Sequence, residues 1–186
     1  MKRKLAITAF ILGGLLISPA LGQTHMPYTG LESRPIKALS QEQVNDLRSG
    51  KGMGLALAAE LNGYPGPMHV LELADKLALT PDQQVGVQVL LEAMKAEAIP
   101  LGERLISQET ALDHAFSSRT VSALSLERYT AAIGETQASL RHAHLKYHLS
   151  TVALLDPGQI VQYTNLRGYS AGGRSSQPEQ HHRRAH

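Results

Sequence analysis

The sequence has 186 residues and no cysteine, which excludes disulfide bonds, thiolate metal sites and cysteine nucleophiles. Its length fits one domain, and two phenylalanines, six tyrosines and no tryptophan indicate a thin aliphatic core. The formal net charge is +2, with several basic residues near the two ends of the chain, so the central part is mildly acidic. Nucleic-acid binding is excluded because that part offers no basic surface.

The N-terminus has the pattern of a secretory signal peptide. Basic residues at 2–4 precede an apolar stretch from Leu5 to Ile17, and residues 20–22 supply a small-residue cleavage site. The apolar stretch is too short to span a bilayer comfortably, which disfavours the alternative of an uncleaved membrane anchor. We therefore predict that residues 1–22 are removed and that the mature protein is periplasmic, without a stable membrane anchor.

The next part of the chain is predicted to be irregular at first and then helical. Residues 23–39 show little apolar periodicity and are predicted to form a flexible leader, with order beginning at Ser40. A capping box at Ser40 starts a first helix, which is predicted to run to Leu61 although three glycines weaken it. The Gly- and Pro-rich stretch 62–67 ends it, and a short helix is predicted from about Met68 to Leu77.

Two pentapeptides with the same leucine, proline and glutamine positions each precede a helical pattern. In both, the second residue is a good N-cap, the proline suits the first helical position, and the glutamine falls at N3, where its amide reaches back to the cap. Each pentapeptide is therefore predicted to start a helix. Their residues are Leu79-Thr80-Pro81-Asp82-Gln83 and Leu155-Asp156-Pro157-Gly158-Gln159.

Between the pentapeptides, apolar residues recur at helical spacing in two long runs. The first run contains Pro100, which is expected to kink it, and the second follows a polar turn at 117–122. Since each helix has one apolar face to bury and the turn is short, the two are predicted to form an antiparallel hairpin. The first stripe comprises Val87, Leu90, Met94, Leu101, Leu105, Leu112 and Phe116, and the second Leu126, Tyr129, Ile133, Leu140, Tyr147, Thr151 and Leu154.

The predicted architecture is all-α, a long kinked hairpin with shorter flanking helices in a domain at 40–169. A last helix is predicted from Pro157 to about Arg167, and the polar residues 170–186 are predicted to be a disordered tail. A fold with so few layers must either dimerise or expose a partly apolar face. If the hairpin is curved, that face is expected to be concave, like a cradle. Three methionines are candidates for that face, or for ordinary core: Met53, Met68 and Met94.

The pair of pentapeptides resembles the LTxxQ motif of the Spy/CpxP superfamily. This superfamily groups small periplasmic α-helical chaperones and stress adaptors with related heavy-metal sensors. The resemblance covers roughly 40–169, although Asp156 replaces the family's threonine and Gly158 weakens the first turn of the last helix. It implies a homodimer that binds unfolded client proteins without ATP, or an adaptor that binds an envelope sensor protein.

Histidines indicate an alternative function, the binding of a divalent transition metal. His144 and His148 are four residues apart on the second long helix, so their rings can converge on one ion, and His69, with Glu72 one turn on, can add a ligand. The metal-sensing branch of the family is similar, with two ligands four residues apart on the corresponding helix. Candidate ions are zinc, nickel, cobalt and copper.

Other observations weigh against a complete metal site and against catalysis. No HxxxH pair stands on the first helix, and hydrogen-bonded core histidines are the favoured interpretation of His144 and His148. Tail histidines can bind metal weakly without fixed geometry. No motif of a hydrolase, zinc protease or nucleotide-binding enzyme is present in the sequence, so no catalytic residue is predicted. The leading hypothesis is a chaperone or stress adaptor, and the alternative is a metal sensor or resistance protein.

Overall fold

The computed structural model describes residues 28–169, and over this range the chain is helical, without β-strands. The predicted all-α class is confirmed. A short 3-10 turn, Leu31–Ser33, precedes the α-helices, two of which are much longer than the others. The α-helices are α1 (Gln41–Ser49), α2 (Leu57–Glu60), α3 (Pro67–Glu72), α4 (Pro81–Ser117), α5 (Ala123–Val152) and α6 (Pro157–Leu166).

The long helices α4 and α5 pack on each other as a hairpin and form the centre of the molecule. α4 ends at Ser117, and α5 starts after Ser122, whose hydroxyl accepts a hydrogen bond from the backbone N–H of Ser125 at 3.2 Å. The turn predicted at 117–122 is therefore confirmed. Lys146 Nζ lies 2.6 Å from a carboxylate oxygen of Glu97, a pairing that fits two antiparallel helices.

A glycine in α4 allows α1 to lie close against the hairpin. α4 continues through Pro100, which removes one hydrogen bond of the helix because it has no N–H. At Gly102, a Cβ atom would lie 2.6 Å from the carbonyl oxygen of Leu47 in α1. The missing side chain therefore makes room for the backbone of α1, and Leu47 is buried at this contact.

Three clusters of buried apolar residues follow one another along the hairpin. The first joins α1 to the middle of α4 and α5 and includes Leu47 and Leu105. The second lies at the end that carries both pentapeptides and includes Leu79 and Leu155. The third contains Met94 and lies between the other two along the sequence of α4. The core is thus long and thin, as the composition predicted.

The two pentapeptides lie side by side and bind each other through their glutamines. Gln83 Nε2 donates to Gln159 Oε1 at 2.9 Å, and Gln159 Nε2 donates to Gln83 Oε1 at 3.0 Å. Each Oε1 also accepts the backbone N–H of its own N-cap, Thr80 at 3.0 Å and Asp156 at 2.9 Å. This reciprocal amide pair ties the start of α4 to the start of α6.

The same two amides also bind the chain segments that lead into the opposite helix. Gln83 Nε2 donates to the carbonyl oxygen of Leu154 at 2.9 Å, just before α6, and Gln159 Nε2 donates to that of Leu77 at 3.3 Å, just before α4. Both predicted helix starts are confirmed. The repeated motif is also a tertiary contact, which capping chemistry alone does not predict.

Two helix boundaries predicted from the sequence are wrong. The first helix ends at Ser49 instead of Leu61, because Gly50 adopts a left-handed conformation with φ 67° and the glycine-rich residues that follow form a loop. The alanine-rich run beyond that loop forms only the four residues of α2. The short helix α3 ends at Glu72 instead of Leu77, and turns lead from there to the first pentapeptide.

Two expectations about packing also need correction. Packing begins before Ser40, since Ile36 is buried in the first cluster and Lys37 Nζ lies 3.4 Å from Asp113 Oδ2 of α4. The described part of the predicted leader, 28–39, therefore contacts the hairpin. Phe116, at the end of the first predicted stripe, is 53% exposed, because α1 covers the hairpin farther from the turn.

Some predictions fall on residues that the structure does not describe. The predicted signal peptide, 1–22, and the predicted tail, 170–186, lie outside the described range. Within 28–169, no helix combines the length and the apolar character that a membrane span requires. The curvature of the hairpin and the homodimer stay predictions.

The reciprocal amide pair is expected to stabilise the fold measurably. Gln83→Ala and Gln159→Ala should each lower the free energy of unfolding by about 1–3 kcal/mol, because each leaves partly buried partners without a hydrogen bond. The double variant should lose less free energy of unfolding than the two single variants lose together, with a coupling energy of about 0.5–1.5 kcal/mol. Urea unfolding followed by circular dichroism measures both quantities.

The matched control for this cycle is Gln88→Ala, since Gln88 bonds to Glu92 on the exposed face of α4. Its combination with Gln159→Ala should be additive. A coupling energy of zero between Gln83 and Gln159 would contradict the contact.

Candidate functional site

A cavity of about 260 Å³ lies where the loop after α1, α2 and the start of α3 meet the long helices. The predicted metal ligands His144 and His148 of α5 and His69 of α3 all line it. The structure therefore places the three predicted histidines around one cavity. Their individual environments decide what each ring can do.

His144 is buried, 2% exposed, and its Nε2 atom has no hydrogen-bond partner in the structure. The ring lies near the glycine-rich loop, where a Cβ atom on Gly52 would be 3.5 Å from Nδ1. Burial lowers the pKa of His144, because desolvation disfavours the imidazolium, and the neighbouring charge of His148 lowers it further. The lowered pKa favours the neutral ring, the form in which an imidazole binds a metal ion.

His148 is fixed from two sides by backbone. Its Nδ1 lies 2.6 Å from the carbonyl oxygen of Tyr64, so Nδ1 carries the proton and donates it to that oxygen. A Cβ atom on Gly66 would lie 2.8 Å from Cε1 and 2.9 Å from Nε2 of the ring. A side chain at position 66 would overlap the ring, so glycine is required there for the backbone before α3 to contact the imidazole of His148. In the neutral ring, Nε2 is the atom with a lone pair.

Glu60 is a buried carboxylate, 6% exposed, that the sequence analysis did not identify as a site residue. The hydroxyl of Tyr163 donates to its Oε1, and Arg167 Nε lies 3.6 Å from the same atom. Its Oε2 lies 3.8 Å from His148 Nδ1 and has no hydrogen-bond partner. Burial and the nearby carboxylate raise the pKa of Tyr163. The one sequence signal was a single acidic residue inside the apolar run 55–61.

His69 is engaged by a partner in its own helix. Its Nδ1 lies 3.0 Å from Glu72 Oε2, and both side chains are partly exposed. His69 and Glu72, one helical turn apart in the sequence, therefore form an ion pair or hydrogen bond at the rim of the cavity. His69 can approach a ligand only if this contact breaks or through its second nitrogen.

The nitrogen and oxygen ligands of the cavity do not form a ready site by themselves. Among the residues described, no three histidine, aspartate or glutamate side chains are grouped so as to hold a metal ion. The predicted set of His144, His148 and His69 is therefore incomplete in the form predicted. The alternative interpretation is that both α5 histidines are hydrogen-bonded core residues. It fits His148 but not His144, whose Nε2 has no partner.

Comparison of the chain with protein-family models, with curated proteins and with solved structures gives no match. The likeness to the Spy/CpxP superfamily is a resemblance of the two pentapeptides and of the order of the predicted helices.

The buried His144 is expected to make the protein less stable in mild acid. Its pKa lies below the ordinary 6.5, so between these two values the unfolded chain binds more protons than the folded one. The free energy of unfolding should therefore fall as the pH drops from about 7.5 to about 5.5, by at most about 1.4 kcal/mol per pH unit from this group.

The measurement is urea unfolding of metal-free protein as a function of pH. His144→Gln should flatten the pH dependence, because the substituted side chain does not titrate. His142→Gln is the matched control, since His142 is exposed on the same helix. Equal pH slopes in all three proteins would contradict the prediction.

Proposed function

We propose that the protein is a periplasmic, Spy/CpxP-like binding protein that holds unfolded proteins without ATP, as a chaperone or as an envelope-stress adaptor. The observation that carries this proposal is an apolar depression of about 250 Å³ beside the cavity, between the α2 segment and α5. It is lined by Ala58, Ala59, Tyr64, Leu145 and Leu149. We call it the apolar depression.

Large apolar side chains extend the surface around the apolar depression. Leu149 is 61% exposed, Leu61 at the end of α2 is 55% exposed, and Tyr64 is 40% exposed. Such side chains offer a client area to bury, worth roughly 25 cal/mol per Å² of apolar surface. Because the depression is shallow and has few hydrogen-bonding groups, binding is weak and tolerant of sequence, as a holding chaperone requires.

A homodimer is part of the proposal. The hairpin with its flanking helices has too few layers to cover every apolar side chain, and association of two copies reduces the exposed area. The adaptor version of the function needs an envelope sensor protein as a second partner. Both versions use exposed apolar surface and require no catalytic residue.

The test is suppression of aggregation of a chemically denatured client by the chain from Gln23, without nucleotide. We expect suppression at a ratio of about one chain per client. Replacing Leu61 and Leu149 with serine should weaken it severalfold, because the change removes apolar area from the proposed surface. Light scattering against time measures the effect.

Matched controls are Phe116→Ser and Leu124→Ser at the other end of the hairpin, where the side chains are 53% and 59% exposed. These variants should suppress aggregation as well as the unchanged protein does. Absence of suppression at excess protein, or equal loss in both pairs of variants, would overturn the proposal.

A second candidate function is the binding of a transition metal in the cavity. The specific observation in its favour is the buried Nε2 of His144, which has no hydrogen-bond partner. An unsatisfied buried polar atom costs about 1–3 kcal/mol, and a bound ion would remove that cost. His148 one turn away can supply a second nitrogen.

Titration calorimetry with Zn²⁺, Ni²⁺ and Co²⁺ tests this second candidate. The protein is the chain from Gln23 with His181, His182 and His186 replaced by alanine, so that tail residues contribute no ligand. Binding should be lost in His144→Ala plus His148→Ala and kept in His142→Ala. Binding that survives the double substitution would contradict a site at these histidines.

A further inference from the structure

All three methionines within the described range line the same cavity as the histidines. Met53 comes from the loop after α1, Met68 from α3 and Met94 from α4. Methionine usually fills gaps in apolar cores, and one residue in a cavity wall needs no explanation. Three methionines from three separate parts of the chain, lining one cavity together with an imidazole that has an unpartnered nitrogen, do need an explanation.

Two of the methionines are packed into the core beside the cavity, and the third, Met53, is 40% exposed on the loop after α1. Met94 is buried, 6% exposed, in the third cluster, and Met68 packs against that cluster. Met53 has a left-handed backbone, φ 42°, between two glycines, which is unfavourable for a residue with a Cβ atom. Ala78 and Arg119 share a positive φ in turns elsewhere, so it is the place of Met53 in the wall of the cavity that indicates a function for its side chain.

We infer that the cavity binds a monovalent, soft metal ion, Cu(I), through methionine thioethers together with the imidazole of His144. This inference rests on the second candidate function, because it names the ion for the site at His144. Thioether sulfur is a soft ligand that selects Cu(I), whereas Zn²⁺, Ni²⁺ and Co²⁺ favour nitrogen, oxygen or thiolate ligands. Thioethers thus supply the donors that a nitrogen and oxygen site lacks within 28–169.

The charges around the cavity also favour a monovalent ion with neutral ligands. Asp46 already pairs with Lys51, at 2.8 Å, and Glu60 lies next to Arg167 and Tyr163. A divalent ion would bring two positive charges into a partly buried site whose two carboxylates each already face one cation, and within 28–169 only Glu60 Oε2 among the carboxylate oxygens is buried without a hydrogen-bond partner. Burying charge that is not neutralised is costly. Methionine sulfur and a neutral imidazole add no charge of their own, so Cu(I) brings the smallest net charge into the cavity.

The experiment is an anaerobic titration of the apoprotein with Cu(I) in competition with a chromophoric Cu(I) chelator. The protein is the chain from Gln23 in which donor residues outside the described range are replaced, His25, His181, His182 and His186 by alanine and Met26 by leucine. We expect one Cu(I) per chain, and copper X-ray absorption should detect sulfur neighbours. The same titration with Zn²⁺ is run in parallel.

Methionine variants decide whether sulfur is a ligand. Met94→Leu and Met53→Leu keep the side-chain volume and should each weaken Cu(I) binding by more than about tenfold, since even changes in outer-shell partners cost about 10- to 100-fold. His144→Ala should do the same, whereas His142→Ala should have no effect. Circular dichroism checks that every variant folds, and Met68→Leu serves as a third thioether test if one of the others does not.

The outcomes separate this inference from the functions on which it depends. Cu(I) binding unchanged in the folded methionine variants, or tight Zn²⁺ binding through His144 with no Cu(I) binding, overturns the copper inference and leaves the metal candidate standing. Binding of neither ion overturns both. Suppression of client aggregation is measured separately and is affected by neither result.

Discussion

The reciprocal hydrogen bonds between Gln83 and Gln159 close the open end of the hairpin. The chain joins α4 to α5 at the turn, but at the other end nothing covalent holds the helices in register. There, two amides satisfy each other and the N-caps of two helices at once. Because the hairpin is fixed at both ends, α5 cannot slide along its axis relative to α1, α2 and α3. The cavity and the two α5 histidines in its wall depend on that alignment.

The region around the cavity contains local features that are unfavourable for stability. Glycines at 52 and 66 let backbone lie against the two imidazoles, and a residue with a Cβ atom at 66 would collide with His148. Within 28–169, three buried side-chain polar atoms have no hydrogen-bond partner, and two of them, on Glu60 and His144, belong to residues that line the cavity. Departures of this kind from good packing and full hydrogen bonding are typical of functional sites, where binding compensates for the lost stability.

Local chemistry could be predicted from the sequence, and long-range pairing could not. Capping boxes and apolar spacing depend on neighbours within a few residues, so the starts of α4 and α6 and the turn of the hairpin were predicted correctly. The partner of Gln83 is 76 residues away, and no local pattern indicates it. Glu60 was missed because one acid in an apolar run has no motif. The glycines at 50–54 were treated as weak points in a helix, although three in five residues favour a loop.

Several polar contacts bind the last helix to the rest of the molecule. Gln159 acts at its start, and Gln162 Nε2 donates to the carbonyl oxygen of Lys76 at 2.6 Å. Tyr163 and Arg167 contact the carboxylate of Glu60. That carboxylate also lies beside the ring of His148. A force that pulls α6 away therefore removes the counter-charge and the hydroxyl from an acid in the wall of the cavity. Detachment of α6 would therefore change the surroundings of the His148 ring, because both contact the carboxylate of Glu60.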